Sequence, residues 1–231
     1  IELLLIPEDG EAILGFDWKQ QEPTILAYKS NDVPTIEAIR RGEDIHTKNC
    51  LEAFGRTDKQ LRKFTKSVIV LRSNYGGNPT ESARHPSVRA LGLSGSQVVT
   101  AAQWYNAAHP AKTVYWNKVC AEIKASKMTR TEHGRRRLAF QLGPETYREL
   151  FNHLCKGEGA DIFNLTAIEI KRRLPHMRFL YGKHDAQKWA CPVGRVDESF
   201  PVMREIVEQP RRIGQYTVSF SAEFTVLTNK E

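Results

Sequence analysis

What most limits the folds open to this chain of 231 residues is the placement of its strand-like segments, which stand at the two ends with helical patterns between them. Near the start, Ala12-Ile13-Leu14-Gly15-Phe16 is a short apolar run ending at Asp17, the pattern of a buried strand with a carboxylate at its tip. Near the end, residues 215–227 alternate, with Tyr216, Val218, Phe220, Ala222, Phe224 and Val226 on one face and polar residues between them. That period of two predicts a single half-buried strand. Phe179-Leu180-Tyr181 and residues 189–193 predict a hairpin with His184-Asp185 at its turn. Strands at both ends and helices between them predict an α+β fold.

The intervening sequence is helical in pattern. Residues 19–30 read as a helix with Pro23 in its first turn, 34–41 as one closed by Gly42, and 46–54 as one closed by Gly55. Residues 58–72 are the most informative. Leu61, Phe64, Val68 and Leu71 recur at helical spacing, Lys59, Arg62, Lys63 and Lys66 form the opposite face, and Gly76, Gly77 and Pro79 end the pattern. Further helices are expected at 96–109, 113–127, 144–153, 160–173 and 198–208, and a strand at 137–142.

Charge narrows the function classes. Lys and Arg number 34 against 27 Asp and Glu, a net charge of +7 that favours a polyanionic partner. Cys50, Cys120, Cys155 and Cys191 stand far apart without CxxC pairs, which argues against a zinc site or a disulfide framework and for a reducing, intracellular setting. No apolar run approaches the roughly 20 residues of a membrane span, so no membrane partner is expected. The opening Ile1-Glu2-Leu3-Leu4-Leu5-Ile6-Pro7 has neither the length nor the basic flank of a signal peptide, and the missing initiator Met suggests a piece of something longer.

Asp17 and Asp185 both sit at predicted strand tips. If those strands are neighbours, their carboxylates converge, and converging carboxylates beside a basic helix suit divalent metals that hold phosphates. Strand-end aspartates equally serve as helix caps or turn residues, and spacing alone leaves both readings open.

Six segments, taken in order, resemble family A (DNA polymerase I-like) DNA polymerases. Gly15-Phe16-Asp17-Trp18-Lys19-Gln20-Gln21-Glu22 is similar to motif A, usually DYSQIE, and Gly42-Glu43-Asp44-Ile45-His46-Thr47, running on to Ala53-Phe54-Gly55, to the GEDIHT…FG segment. Arg62-x-x-x-Lys66 followed by Tyr75-Gly76 looks like motif B. Gly134-Arg135-Arg136-Arg137 resembles GRRR, and Arg148-x-x-x-Asn152-x-x-x-x-Gly157 with Ala160-Asp161 resembles the RxxxNxxxQG segment. His184-Asp185 stands where motif C has HDE.

The resemblance implies a palm with an antiparallel sheet and helices, carrying a mostly helical fingers insertion: residues 1–30 palm with motif A, 31–130 fingers with the nucleotide-binding helix 58–72, and 131–231 palm with motif C at 184–185. Asp17 and Asp185 would be catalytic and bind two Mg²⁺ ions (Mn²⁺ substituting), with the backbone carbonyl of Trp18 a further ligand. Gln20, Glu22, His46, Arg62, Lys66 and Tyr75 would meet the incoming dNTP, with Glu22 closing the space of a ribose 2′-OH and Arg62 and Lys66 holding the triphosphate. Arg148, Asn152, Lys156 and His184 would contact primer-template DNA.

The implied function is a template-directed DNA polymerase core; the alternative is a catalytically weak or inactive polymerase-fold subunit or fragment that binds nucleic acid. A thumb and an exonuclease region, which precede motif A in the family, would be supplied upstream or by a separate chain.

Departures mark a divergent, phage-like branch. Ala186 replaces the motif C Glu, Lys156 a Gln, Val70 a bulky residue, and Trp18 and Lys19 a Tyr and a Ser. Tyr75 falls nine residues after Lys66 instead of eight, which implies an inserted residue or a helix bulge.

Overall fold

A computed structural model describes residues 5–228; the first four and last three residues of the predicted end segments lie outside it. The eight strands among the described residues are β1 (Glu11–Trp18), β2 (Met128–Arg130), β3 (Arg136–Leu138), β4 (Arg178–Lys183), β5 (Ala186–Pro192), β6 (Arg211–Ile213), β7 (Tyr216–Val218) and β8 (Ala222–Thr228). The chain divides into two compact units: residues 1–22 with 156–231, and Pro23–Cys155.

The first unit is α+β. Its antiparallel sheet runs β4-β5-β1-β8, with β1 inside and its partners drawn from the far end of the chain. Ala12, Ile13, Leu14, Phe16 and Trp18 are buried, whereas Asp17 is exposed. Leu14, Phe16 and Trp18 share one face by the period of two, and Phe16 and Trp18 pack edge to face with centroids 4.8 Å apart. The Trp18 indole N–H donates to the Val207 carbonyl at 3.1 Å, fastening β1 to the helix Val196–Glu208. Met203, Ile206 and Val207 on that helix are buried with it.

The predicted single strand at 215–227 is two strands. β7 pairs with β6 in a separate two-stranded sheet, and only β8 joins β1. Residues 219–221 form the corner, where Phe220 is buried and the Ser221 carbonyl accepts from the Lys19 N–H at 2.9 Å. Alternation is the same on both sides of such a corner, so periodicity cannot reveal it.

The second unit is mostly helical, with the β2–β3 hairpin appended. Asp58 starts the helix Lys59–Phe64 by accepting from the Gln60 and Leu61 N–H groups at 2.9 Å. The chain then becomes a π-helix over Thr65–Leu71 before a last α-turn, Arg72–Asn74, so the expected uniform helix at 58–72 is interrupted. A π turn takes up an extra residue, and this one lies in the segment where the spacing from Lys66 to Tyr75 is one residue long. Three hydroxyls serve the altered ladder: Thr65 Oγ1 donates to the Leu61 carbonyl at 2.8 Å, Ser67 Oγ to the Lys63 carbonyl at 2.9 Å, and Ser82 Oγ to the Val68 carbonyl at 3.0 Å. Val68, Ile69 and Val70 are all buried, packing with Leu61, Phe64, Val98, Ala101 and Tyr105.

A buried polar network spans this unit. Asp32, fully inaccessible, faces His109 Nδ1 at 2.9 Å and Lys112 Nζ at 3.1 Å. Lys112 donates to the Tyr105 hydroxyl at 2.7 Å, which donates to Asn74 Oδ1 at 2.9 Å.

Two smaller departures are local. The first helix begins at Gln21, because Gln20 takes a positive φ of 55°. The short helices Pro79–Ser82 and Ser87–Ala90 carry too few residues for a periodic signal.

Candidate active site

In the sheet unit, Asp17 is the penultimate residue of β1 and Asp185 immediately precedes β5. Asp17 is paired in register with Ala186, so the two aspartates sit on adjacent strands one residue out of step. The Trp18 N–H fixes that offset by donating to the Asp185 carbonyl at 3.2 Å. His184, with φ of 56°, forms the tight turn that places Asp185 at the strand's mouth. On the other side of β1, Asp17 is opposite Glu223, whose carboxylate holds Lys19 at 2.9 Å.

Gln20 and the half-buried Glu22 follow Asp17 directly, Glu22 in the first turn of the helix Gln21–Ser30. Lys156 is exposed within the π turn His153–Gly157. Among the described residues, no group of three or more His, Cys, Asp or Glu is arranged to hold a metal ion.

In the helical unit, Arg62 lies against Asp44. Its Nη2 is 2.6 Å and its Nε 2.8 Å from Asp44 Oδ2, and Nε also donates to Thr47 Oγ1 at 3.0 Å. Asp44 in turn caps the helix Ile45–Phe54, accepting from the His46 N–H at 3.0 Å and the Thr47 hydroxyl at 2.7 Å. Hydrogen bonds from Thr47, Arg62 and the His46 N–H outweigh its burial and hold its carboxyl below the usual range. Lys66, one helical turn beyond Arg62, is exposed.

His46 is buried, and its Nδ1 has no hydrogen-bond partner among the described residues. Burial first, then the Lys66, Arg62 and Lys112 charges, push its pKa down to about 4 against the pull of Asp44. His46, Arg62 and Lys66 thus form one electrostatic cluster, and the imidazole is neutral at pH 7.

Tyr75 packs edge to face on Phe151 at 5.9 Å, and Trp116 lies 4.7 Å from the same ring. Gly76 must be glycine: its φ is +68°, and a Cβ there would stand 2.5 Å from the Trp116 ring. Arg148 and Asn152 are four residues apart on the helix Pro144–Asn152; Arg148 reaches Glu145 at 3.4 Å, and Asn152 Oδ1 is buried without a hydrogen-bond partner among the described residues.

The sequence pattern of DNA polymerase family A matches residues 1–229. This chain belongs to that family. Among family members, it is 27% identical to the thermostable DNA polymerase I of Thermus thermophilus over 222 residues, 90% of this chain and 26% of the relative. It is 27% identical to DNA polymerase I of Helicobacter pylori over 183 residues, 75% of this chain and 20% of that protein. The chain therefore spans between a fifth and about a quarter of the length of these relatives. The fold matches the POL domain of M. smegmatis Pol1, solved with DNA primer-template and dNTP, at a TM-score of 0.80 and 21% identity, covering 96% of this chain and 40% of that one.

The partners that hold Arg62, namely Asp44 and Thr47, are not predicted by the sequence pattern. Asp44 and Thr47 lie inside the quoted motif, and an Asp followed three residues later by Thr at a helix start signals a cap. Nothing local joins either residue to Arg62, because that contact bridges two helices.

The neutral His46 has a measurable consequence. Its folded pKa lies below its ordinary 6.5, so the unfolded chain takes up the proton more readily. The contribution is whole above pH 6.5 and is lost as pH falls towards 4, about 3 kcal/mol in total. His46→Gln is expected to flatten this part of the pH profile in urea unfolding at pH 4.5, 5.5 and 7. An unchanged profile would show that His46 is not the group responsible.

Proposed function

We propose that this chain is the catalytic core of a template-directed DNA polymerase, adding deoxynucleotides to a primer 3′-OH, with the sheet unit as palm and the helical unit as fingers. Within that division, residues 23–30 and 131–155 pack with the helical unit. The observation that carries the reading is the pair Asp17 and Asp185, set on adjacent strand ends by register and by the Trp18–Asp185 hydrogen bond. Family membership and the primer-template and dNTP in the M. smegmatis structure support it.

The donor set fits magnesium. Mg²⁺ takes one or two carboxylates and fills its remaining positions with phosphate oxygens and water, so two aspartates and the Trp18 carbonyl suffice. Two such ions (Mn²⁺ can substitute) supply Lewis-acid stabilisation of the attacking 3′-oxygen and the pyrophosphate leaving group. The chain's own residues do the remainder. Asp17 and Asp185 provide the anionic oxygens, and Arg62 and Lys66, four residues apart, bind the triphosphate.

To bind phosphate, Arg62 exchanges the Asp44 carboxylate for a phosphate oxygen, which keeps its charge compensated before and after. The neutral His46 ring contributes a hydrogen bond, not a charge. Gln20 and Tyr75 would each meet the incoming dNTP. Arg148, Asn152, Lys156 and His184 contact primer-template, and a thumb and exonuclease region, supplied upstream or by a separate chain, would add to the hold on the duplex. Among the described residues, no helix is long and apolar enough to cross a membrane.

A second reading, a weak or inactive nucleic-acid-binding piece, is favoured by Ala186 at the third-acid position and by the absence of a three-acid cluster among the described residues. Extension of a labelled primer in Mg²⁺ with an EDTA control separates the two. Metal-dependent addition supports the polymerase, and duplex binding without addition supports the second reading.

Glu22 carries the sugar choice. A carboxylate filling the space at the 2′ position excludes a hydroxyl by volume. Glu22→Ala is expected to raise ribonucleotide incorporation relative to deoxynucleotide by about tenfold or more. An unchanged ratio in competition assays would remove that role.

A further inference from the structure

The sheet face that carries Asp17 also carries a cation that no part of the mechanism uses. Residues directly opposite in an antiparallel pair share a face, as do residues two apart along a strand. Asp17 is opposite Ala186 and Glu223, and Gly15, two residues back, is opposite Lys188 and Thr225. The Asp17 rung is acidic and the next rung is basic. Asp17, Ala186, Lys188, Glu223 and Thr225 line one cleft on this face.

The Lys188 side chain lies across Gly15, where a Cβ would be 2.6 Å from both Cδ and Nζ and 2.7 Å from Thr225 Oγ1. The glycine makes the trough in which the lysine runs. Lys188 Nζ donates to Thr225 Oγ1 at 2.9 Å and has no carboxylate within ion-pair distance among the described residues. Lys19, at the acidic rung, differs in being paired with Glu223.

We infer that Lys188 is a phosphate subsite for the primer strand, binding the phosphodiester next to the 3′-terminal nucleotide while the terminus itself lies at the Asp17 rung. Two strand residues are about 7 Å, a spacing that lets one backbone run along both rungs. Thr225 orients the ammonium, and the small side of Ala186 leaves the path between the rungs open. This inference rests on the polymerase reading of the same face.

The test is equilibrium binding of a fluorescent primer-template between 50 and 200 mM salt, for wild type, Lys188→Met, Lys188→Arg and Thr225→Val. One phosphate contact contributes about 0.9 to the slope of log K against log salt on duplex DNA. Lys188→Met is expected to lower the slope by about that amount and weaken binding several-fold, while Lys188→Arg and Thr225→Val keep it. A primer whose last internucleotide linkage is a neutral methylphosphonate should weaken binding to wild type and leave binding to Lys188→Met unchanged.

If wild type binds but Lys188→Met has the same slope, or both proteins lose equally with the neutral linkage, the subsite is wrong and the polymerase reading stands. Lower melting temperatures for Lys188→Met and Thr225→Val with unchanged slopes would make the pair structural only. No duplex binding by wild type would overturn the subsite, and the polymerase reading would then be decided by primer extension.

Discussion

Asp17→Asn and Asp185→Asn are each expected to lower nucleotide addition by about three orders of magnitude or more. The substitutions keep size and shape and remove one anionic charge. Stabilisation of transition-state charge by a bound divalent ion amounts to several kcal/mol, and about 4 kcal/mol corresponds to that loss in rate. Asp17 is exposed and Asp185 half-buried at a strand mouth, so neither charge supports the core. Melting temperature and duplex affinity should therefore change little. Unimpaired extension by either variant would show that its carboxylate takes no part in the chemistry.

Asp32→Ala is expected to destabilise the helical unit by about 3–5 kcal/mol, because it leaves a buried ammonium without its counter-charge. Lys112 is only 8% exposed and lies 3.1 Å from Asp32. Burial pushes the Asp32 carboxyl up, yet the His109 hydrogen bond and the Lys112 charge prevail and hold it at about 2. That carboxylate's contribution is complete above its ordinary 3.8 and is lost as pH falls towards 2. Replacing both charges, Asp32→Ala with Lys112→Met, should recover much of the loss in urea unfolding, since a well-packed apolar pair often matches a buried ion pair. A double variant as unstable as the single one would contradict the charge argument.

β1 and the β4–β5 hairpin were legible because short apolar segments and a turn are local signals, and they placed Asp17 at the tip of the one and Asp185 at the turn of the other. The order β4-β5-β1-β8 was not, since strand neighbours separated by most of the chain leave no trace in periodicity. The break between β7 and β8 preserves alternation and so escaped notice.

The extra residue between Lys66 and Tyr75 was visible as a spacing, and the π-helix shows how the backbone takes it up. The Arg62–Asp44 pair and the Asp32–His109–Lys112 network had no signature, because each joins helices that only tertiary packing brings together. Buried Lys112 reads in sequence as one more solvated charge.

The central claim is most directly tested by single-nucleotide addition on four primer-templates that differ only in the templating base, in Mg²⁺, with each dNTP offered separately. The account predicts addition of the complementary deoxynucleotide on each template, none in EDTA, and loss of addition in Asp17→Asn and Asp185→Asn. Duplex that binds but is never extended, or addition that ignores the templating base, would contradict it.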